Sequence, residues 1–169
     1  MKLILLIILS IFINSCVCDT QEFSELNDIY GTKISLCSDW DSKSGLKLIS
    51  YIDSTECLPC VVRNVQIWRD LDEILFSKYN IPITFVVAPK FYDSNKDAEL
   101  LCFIENSYPL YSDSNNVFRH KYLFLKNNVY RTFLVNDNNE IILVGSPILS
   151  DELFAIYKKR IKRYSWLRF

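Results

Sequence analysis

The sequence predicts an α/β domain in which a parallel sheet core is followed by an antiparallel hairpin. That reading rests on two short β-rich apolar runs, 46–52 and 81–88, each followed by an amphipathic helical pattern, and on two further apolar runs flanking Asn136-Asp137-Asn138-Asn139. Strand and helix in alternation favour a parallel sheet with right-handed crossovers. Short apolar runs across a turn signal favour a hairpin. With 169 residues, half of them hydrophobic, the chain can bury a sizeable core as one domain. Three glycines and five prolines are too few for a long flexible linker, and a formal net charge of −1 creates no field that would draw in nucleic acid.

The chain opens with Met1, Lys2 and an apolar run over 3–13 broken only by Ser10. Such a run is shorter than the ~20 residues of a membrane-spanning helix and reads as the core of a signal peptide. It ends in Ile13-Asn14-Ser15-Cys16, which resembles a bacterial lipobox. The expected organisation is a signal peptide over 1–15, a lipidated N-terminus and tether over 16–28 with Cys16 as the lipid-bearing residue, and a folded domain over 29–169. Ordinary cleavage beyond Cys18, giving a soluble exported protein, is the alternative. Either route places the chain in an oxidising compartment where disulfides persist.

Within the domain, Lys33-Ile34-Ser35-Leu36 alternates as a short strand does. The run 46–52 is largely apolar, as in a strand buried on both faces, and Asp53, Ser54 and Thr55 end it. Val61, Val65, Trp68, Leu71 and Leu75 then recur at steps of three and four, which is one face of a helix, while Arg63, Arg69, Asp70, Asp72 and Glu73 can face water. In the strand over 81–88, Pro82 is confined to the start. Ala98, Leu101, Cys102 and Ile104 mark a crossover helix over 96–105, in which Cys102 is expected to pack as a small buried hydrophobe. After the hairpin, Ser150 offers an N-cap, with Asp151 and Glu152 in the first turn of a final helix. Lys158, Lys159, Arg160, Lys162 and Arg163 crowd its other end, where cations complement the helix dipole and can also touch anionic lipid or a partner.

The chemistry is concentrated in Cys57-Leu58-Pro59-Cys60, between the first buried strand and its helix. Pro59 suits the first helical turn, where its missing N–H is no loss. Cys57 therefore sits at or just before a helix N-terminus, where unpaired N–H groups and the macrodipole favour a thiolate. Cys60 follows within one turn, close enough to resolve a mixed disulfide formed at Cys57. A zinc site would need two more ligands in matched spacing, but no second CxxC exists and His120 is the single histidine. A purely structural disulfide stays open, although closing so short a loop removes little unfolded-state entropy.

A strand-helix-strand unit with CxxC at its first helix, followed by strand-strand-helix, resembles the thioredoxin fold. It is most similar to the exported, membrane-anchored thiol-disulfide oxidoreductases of the TlpA/ResA type and related redoxin-domain lipoproteins. The residues that carry the likeness are Gly31-Thr32-Lys33-Ile34-Ser35-Leu36 as an extension strand, Cys57-Leu58-Pro59-Cys60 as the active-site turn, and Thr132-Phe133-Leu134-Val135-Asn136 with 140–145 as the final hairpin. The resemblance implies a thioredoxin-like three-layer α/β/α sandwich around a central mixed sheet. It also implies Cys57 as attacking nucleophile, Cys60 as resolving thiol, and no small organic cofactor. The implied partners are exported proteins bearing thiols or disulfides, an electron donor or acceptor protein, and the membrane through a lipid anchor.

Three positions depart from that family's pattern. Glu56 stands where a tryptophan usually precedes the first cysteine, and a carboxylate there opposes thiolate formation by like charge. Tyr51 stands near the interior carboxylate of thioredoxin. Tyr130 stands near the usual cis-proline, where a trans peptide is expected because a non-proline cis bond costs about 2.5–4 kcal/mol. Arg131 or Arg63 can supply replacement positive charge. These departures keep two alternatives open: a non-catalytic interaction module whose CxxC is a staple, and a carrier of a soft ion such as Cu(I), with His120 as an added ligand.

Overall fold

The computed structural model describes residues 26–92 and 95–166, so the expected signal segment, Cys16 and Cys18 lie outside the described residues. Residues 26–32 are a separate small unit, a helical turn closed at Gly31 in the left-handed region (φ 81°). The larger unit, from Lys33 on, holds a sheet of five strands. Its elements are α1 (Ser38–Asp41), β1 (Lys47–Ile52), α2 (Leu58–Leu71), β2 (Ile83–Val87), α3 (Asn95–Glu105), β3 (Leu110–Ser112), α4 (Val117–Lys121), β4 (Thr132–Val135), β5 (Ile141–Val144) and α5 (Asp151–Trp166).

The strand order is β3-β2-β1-β4-β5, with β1 at the centre. β1 runs parallel to β2 (Leu48 opposite Ile83, Ile52 opposite Val87), and β2 runs parallel to β3. β4 is antiparallel to both β1 and β5. The sheet is thus mixed, as predicted, because the first crossovers carry helices and the last connection is a five-residue turn over 136–140. In that turn Asn136 Oδ1 accepts the N–H groups of Asn138 and Glu140, both at 2.9 Å, while Asn139 takes a positive φ of 63°.

Side chains alternate along each strand, so β1 feeds two separate layers. Leu48 and Ile52 join Phe85, Val87, Leu134 and Leu143 under α2, α3 and α5, where Val65, Trp68, Leu101, Ile104, Tyr157 and Ile161 are buried. Trp68 meets Phe85 edge-on at 6.2 Å. On the opposite face Tyr51 stacks on Phe118 at 6.1 Å, and Trp40 donates through Nε1 to Thr84 Oγ1 at 3.3 Å. Helices and turns therefore cover both faces, giving the three-layer arrangement. Gly145 (φ 104°) joins β5 to α5: a Cβ there would lie 2.9 Å from Leu153 Cδ2, and the Gly145 carbonyl accepts from Tyr157 Oη at 2.8 Å.

Two local expectations fail. Lys33-Ile34-Ser35-Leu36 makes only an isolated bridge, Lys33 with Glu140, rather than a strand. Its later amides go to side chains: Ser35 N–H donates to Tyr122 Oη at 2.9 Å and Leu36 N–H to Asp41 Oδ1 at 3.0 Å, so no ladder can continue. Cys102 is exposed rather than buried, because Leu101 and Ile104 take the inward positions of α3.

Lys47 is fully buried at the end of β1 farthest from the CxxC turn. Its ammonium donates to the carbonyls of Lys43 (2.6 Å) and Trp40 (3.4 Å) and to Asn139 Oδ1, and it lies 4.3 Å from the Trp40 ring centroid. Burial pulls its pKa below the ordinary lysine value, partly offset by Asp41 and Asp137. Lys47→Met leaves these acceptors without their donor. The expected loss is about 1–3 kcal/mol in urea unfolding at neutral pH, and an unchanged midpoint at unchanged slope would contradict this role.

Candidate active site

β1 ends at Ile52, and the chain turns over Asp53-Ser54-Thr55-Glu56 into α2. Cys57 is the N-cap of that helix, with extended backbone (φ −82°, ψ 102°), and Pro59 lies in the first turn. The N–H groups of Cys60 and Val61 both bond the Cys57 carbonyl, at 2.9 and 3.1 Å. Cys57 and Cys60 form a disulfide with their Cα atoms 5.2 Å apart. Leu58, 2 % exposed, pins the turn into the core, whereas Cys57, Pro59 and Cys60 are all exposed. The Cys57 side chain makes no capping bond, and the first turn of α2 holds no carboxylate. A reduced Cys57 therefore meets the positive end of the helix without competition from within it.

Beneath this turn lies a cluster of charge. Asp53 is fully buried, and its Oδ1 accepts from Thr55 N–H at 3.0 Å and Thr55 Oγ1 at 2.8 Å. Arg119 Nε stands 2.5 Å from Oδ2, and Arg131 Nη2 stands 3.6 Å from Oδ1. Burial pushes the Asp53 carboxyl up, but the two Thr55 bonds and the two guanidinium groups outweigh it and hold the pKa below the usual value. Glu56 joins the same cluster: its Oε1 accepts from Arg131 Nη1 at 3.0 Å and from Asp53 N–H at 3.1 Å. Arg131 is completed by its Nε–H, which donates to the Leu125 carbonyl at 3.0 Å.

A second buried carboxylate, Asp113, orders the neighbouring segment. It accepts from Phe118 N–H (2.7 Å), Arg119 N–H (3.1 Å) and Tyr51 Oη (3.0 Å). Burial, and then the hydrogen bond to Asp113, push the Tyr51 phenol far above its ordinary pKa. Tyr51 is thus a protonated donor at neutral pH and no base.

These contacts place each expected site residue. Glu56, predicted to oppose a Cys57 thiolate, is paired with Arg131, which offsets much of its charge. Arg131 is buried among carboxylates, and Arg63 faces solvent on α2. Tyr130 is buried, 3 % exposed, in a 3₁₀ turn over Asn128–Tyr130 whose N-cap side chain, Asn127, accepts from Val129 N–H at 3.1 Å. All peptide bonds of the described residues are trans. The residue whose backbone joins β1 here is Arg131, its carbonyl accepting from Tyr51 N–H at 2.8 Å. His120 is exposed on α4, and among the described residues no three His, Cys, Asp or Glu side chains gather as a metal site. Cys37 and Cys102 are free thiols.

Asp53, Arg119 and Asp113 are site residues that the sequence pattern does not single out. The one available signal was a carboxylate directly after a fully buried strand and four residues before Cys57; nothing local marks Arg119 or Asp113. Beside the CxxC turn opens a cleft of about 680 Å³. Thr55, Glu56, Val61 and Asn64 form one wall, Asn127, Asn128 and Arg131 a second, and Ser146, Ile148 and Leu149 a third. The cleft is thus lined by residues on either side of the CxxC turn, Glu56 and Val61, and by the segments before β4 and after β5.

This architecture is thioredoxin-like. A solution structure from Bacteroides vulgatus, described as a candidate thiol-disulfide oxidoreductase, aligns over 77% of this chain and 82% of its own at a TM-score of 0.53 and 19% identity. A candidate thioredoxin from Neisseria meningitidis aligns over 75% of this chain and 81% of its own at a TM-score of 0.49 and 17% identity. No family model matches the chain. No curated protein matches it either.

Because folding lowers the Asp53 pKa, its contribution to stability is complete above the unfolded value of about 3.9 and is lost as pH falls through the lower folded value. Asp53→Asn should therefore cost about 3–5 kcal/mol near neutral pH, by leaving the Arg119 guanidinium without its counter-charge and Arg131 with Glu56 alone. The difference from the native chain should shrink below about pH 4. A penalty that stays constant down to strong acid would show that Asp53 is not ionised in the fold.

Proposed function

We propose that the protein is an exported thiol-disulfide oxidoreductase that exchanges electrons through Cys57 and Cys60 with thiols or disulfides of other envelope proteins. The carrying observation is the disulfide at the exposed N-cap of α2, beside an open cleft. Exposure of both cysteines counts against a staple, since the bond can be reached without unfolding.

In the reducing direction, a Cys57 thiolate attacks one sulfur of a substrate disulfide. A bond forms between Cys57 Sγ and that sulfur, the substrate bond breaks, and the departing sulfur leaves as a thiolate that takes a proton from water. The Cys60 thiolate then attacks Cys57 Sγ and expels the second substrate sulfur. Two electrons pass to the substrate, and the protein ends in the disulfide state seen in the structure. Oxidation of a substrate dithiol is the same path reversed.

The protein's own groups position this exchange. The helix N-terminus supports the thiolate, and the Arg131 guanidinium offsets Glu56. Asn64, Asn127 and Asn128 line the cleft with amides able to bond an extended peptide, while Leu149, 69 % exposed, gives one wall an apolar contact. A protein substrate fits such an open, amide-rich groove. The apolar run over 3–13 and the lipobox-like Ile13-Asn14-Ser15-Cys16 support export and lipidation at Cys16, which would hold the domain at a membrane surface.

Cys57→Ser should abolish reduction of an insulin-type disulfide, whereas Cys60→Ser should accumulate a mixed disulfide between Cys57 and substrate. Full turnover by Cys57→Ser would end this reading.

A further inference from the structure

α5 has two unlike faces. Tyr157 and Ile161 are fully buried, with Leu153, Phe154 and Tyr164 packed around them. Lys158, Lys159, Arg160, Lys162 and Arg163 are all exposed, and among the described residues none of them enters an ion pair. No carboxylate follows Glu152 in the helix. Complementing the helix dipole does not account for this density, because that effect fades beyond the last turn. Only Arg163 lies in the last turn.

Two exposed apolar side chains share this surface. Trp166 is 83 % exposed and Ile156 is 50 % exposed. Ile156, Lys159, Arg163 and Trp166 follow one another at steps of three and four, so they form a single stripe along the helix. The chain's other tryptophans, Trp40 and Trp68, are both buried.

We infer that the outward face of α5 docks on an anionic lipid surface, with the five cations among lipid phosphates and the Trp166 indole at the headgroup level. A plane of diffuse negative charge suits long, unpaired cationic side chains on a convex helix. An indole with one polar edge is at home at that depth. A protein partner would instead call for a shaped pocket around a buried anchor, and this face is a single convex helix. The contact would orient the domain on the membrane independently of any lipid at Cys16, and it involves none of the residues around Cys57.

Trp166 is a built-in reporter. The full-length protein is mixed with vesicles of equal parts phosphatidylglycerol and phosphatidylcholine, and separately with phosphatidylcholine alone. The expected result is a blue shift of Trp166 emission with the anionic vesicles only. Raised salt should reverse the shift, and Trp166→Phe should remove it. Replacing Lys158, Lys159, Arg160, Lys162 and Arg163 by Gln should weaken the apparent affinity at least about tenfold, with disulfide reduction unchanged. If the five-site variant does not fold, Lys159→Glu with Arg163→Glu serves the same purpose and should give the same loss. No shift at low salt, or an equal shift with neutral vesicles, would overturn the inference. A shift with polyglutamate but not with anionic vesicles would also overturn it, in favour of an acidic protein.

Discussion

A carboxylate with no exposed surface is one of the costliest groups a fold can contain unless it is fully paired. Asp53 is such a group, and meeting its needs brings together three parts of the chain. Thr55 comes from the turn before α2, Arg119 from α4, and Arg131 from the approach to β4. The last two are far from Asp53 in sequence, so the cluster closes only when the sheet and its covering layer have assembled. β1 supplies the rigid base, since it lies at the centre of the sheet and is buried on both faces.

The CxxC turn inherits its geometry from this arrangement. Glu56 bonds Arg131 and the Asp53 amide, which ties the residue before Cys57 to the segment that leads into β4. The junction is closed by an ion pair between Glu56 and Arg131. An ion pair of this kind can hold two segments in register.

Much of the fold was legible because its signals are local. The largely apolar run of β1, the three-four spacing of α2, the Asn-rich turn between β4 and β5 and the Ser150 cap before α5 each state their conformation within a few residues. The Cys57 N-cap position followed from that framework together with Pro59. What could not be read depended on distant partners. Lys33–Leu36 has the alternation of a strand, but Tyr122 and Asp41 capture its amides. Cys102 sits in an apolar segment, yet the helix turns it outward. The segment over 113–131 is a chain of short turns organised by Asp113 and by rings such as Phe118 and Tyr122, 4.7 Å apart, which have no periodic signature. Lys47 lies in a strand of mostly apolar residues, and its burial depends on the distant Asn139 side chain as well as on the nearby carbonyls of Trp40 and Lys43.

The dependence of this junction on Asp53 is measured most directly by a double-mutant cycle in stability between Asp53→Asn and Arg131→Met, with all chains kept oxidised. If the buried carboxylate ties the CxxC turn to the β4 approach, the two losses should be non-additive, with a coupling of about 1 kcal/mol or more. Additivity to within about 0.3 kcal/mol would mean that the two segments are held by packing alone.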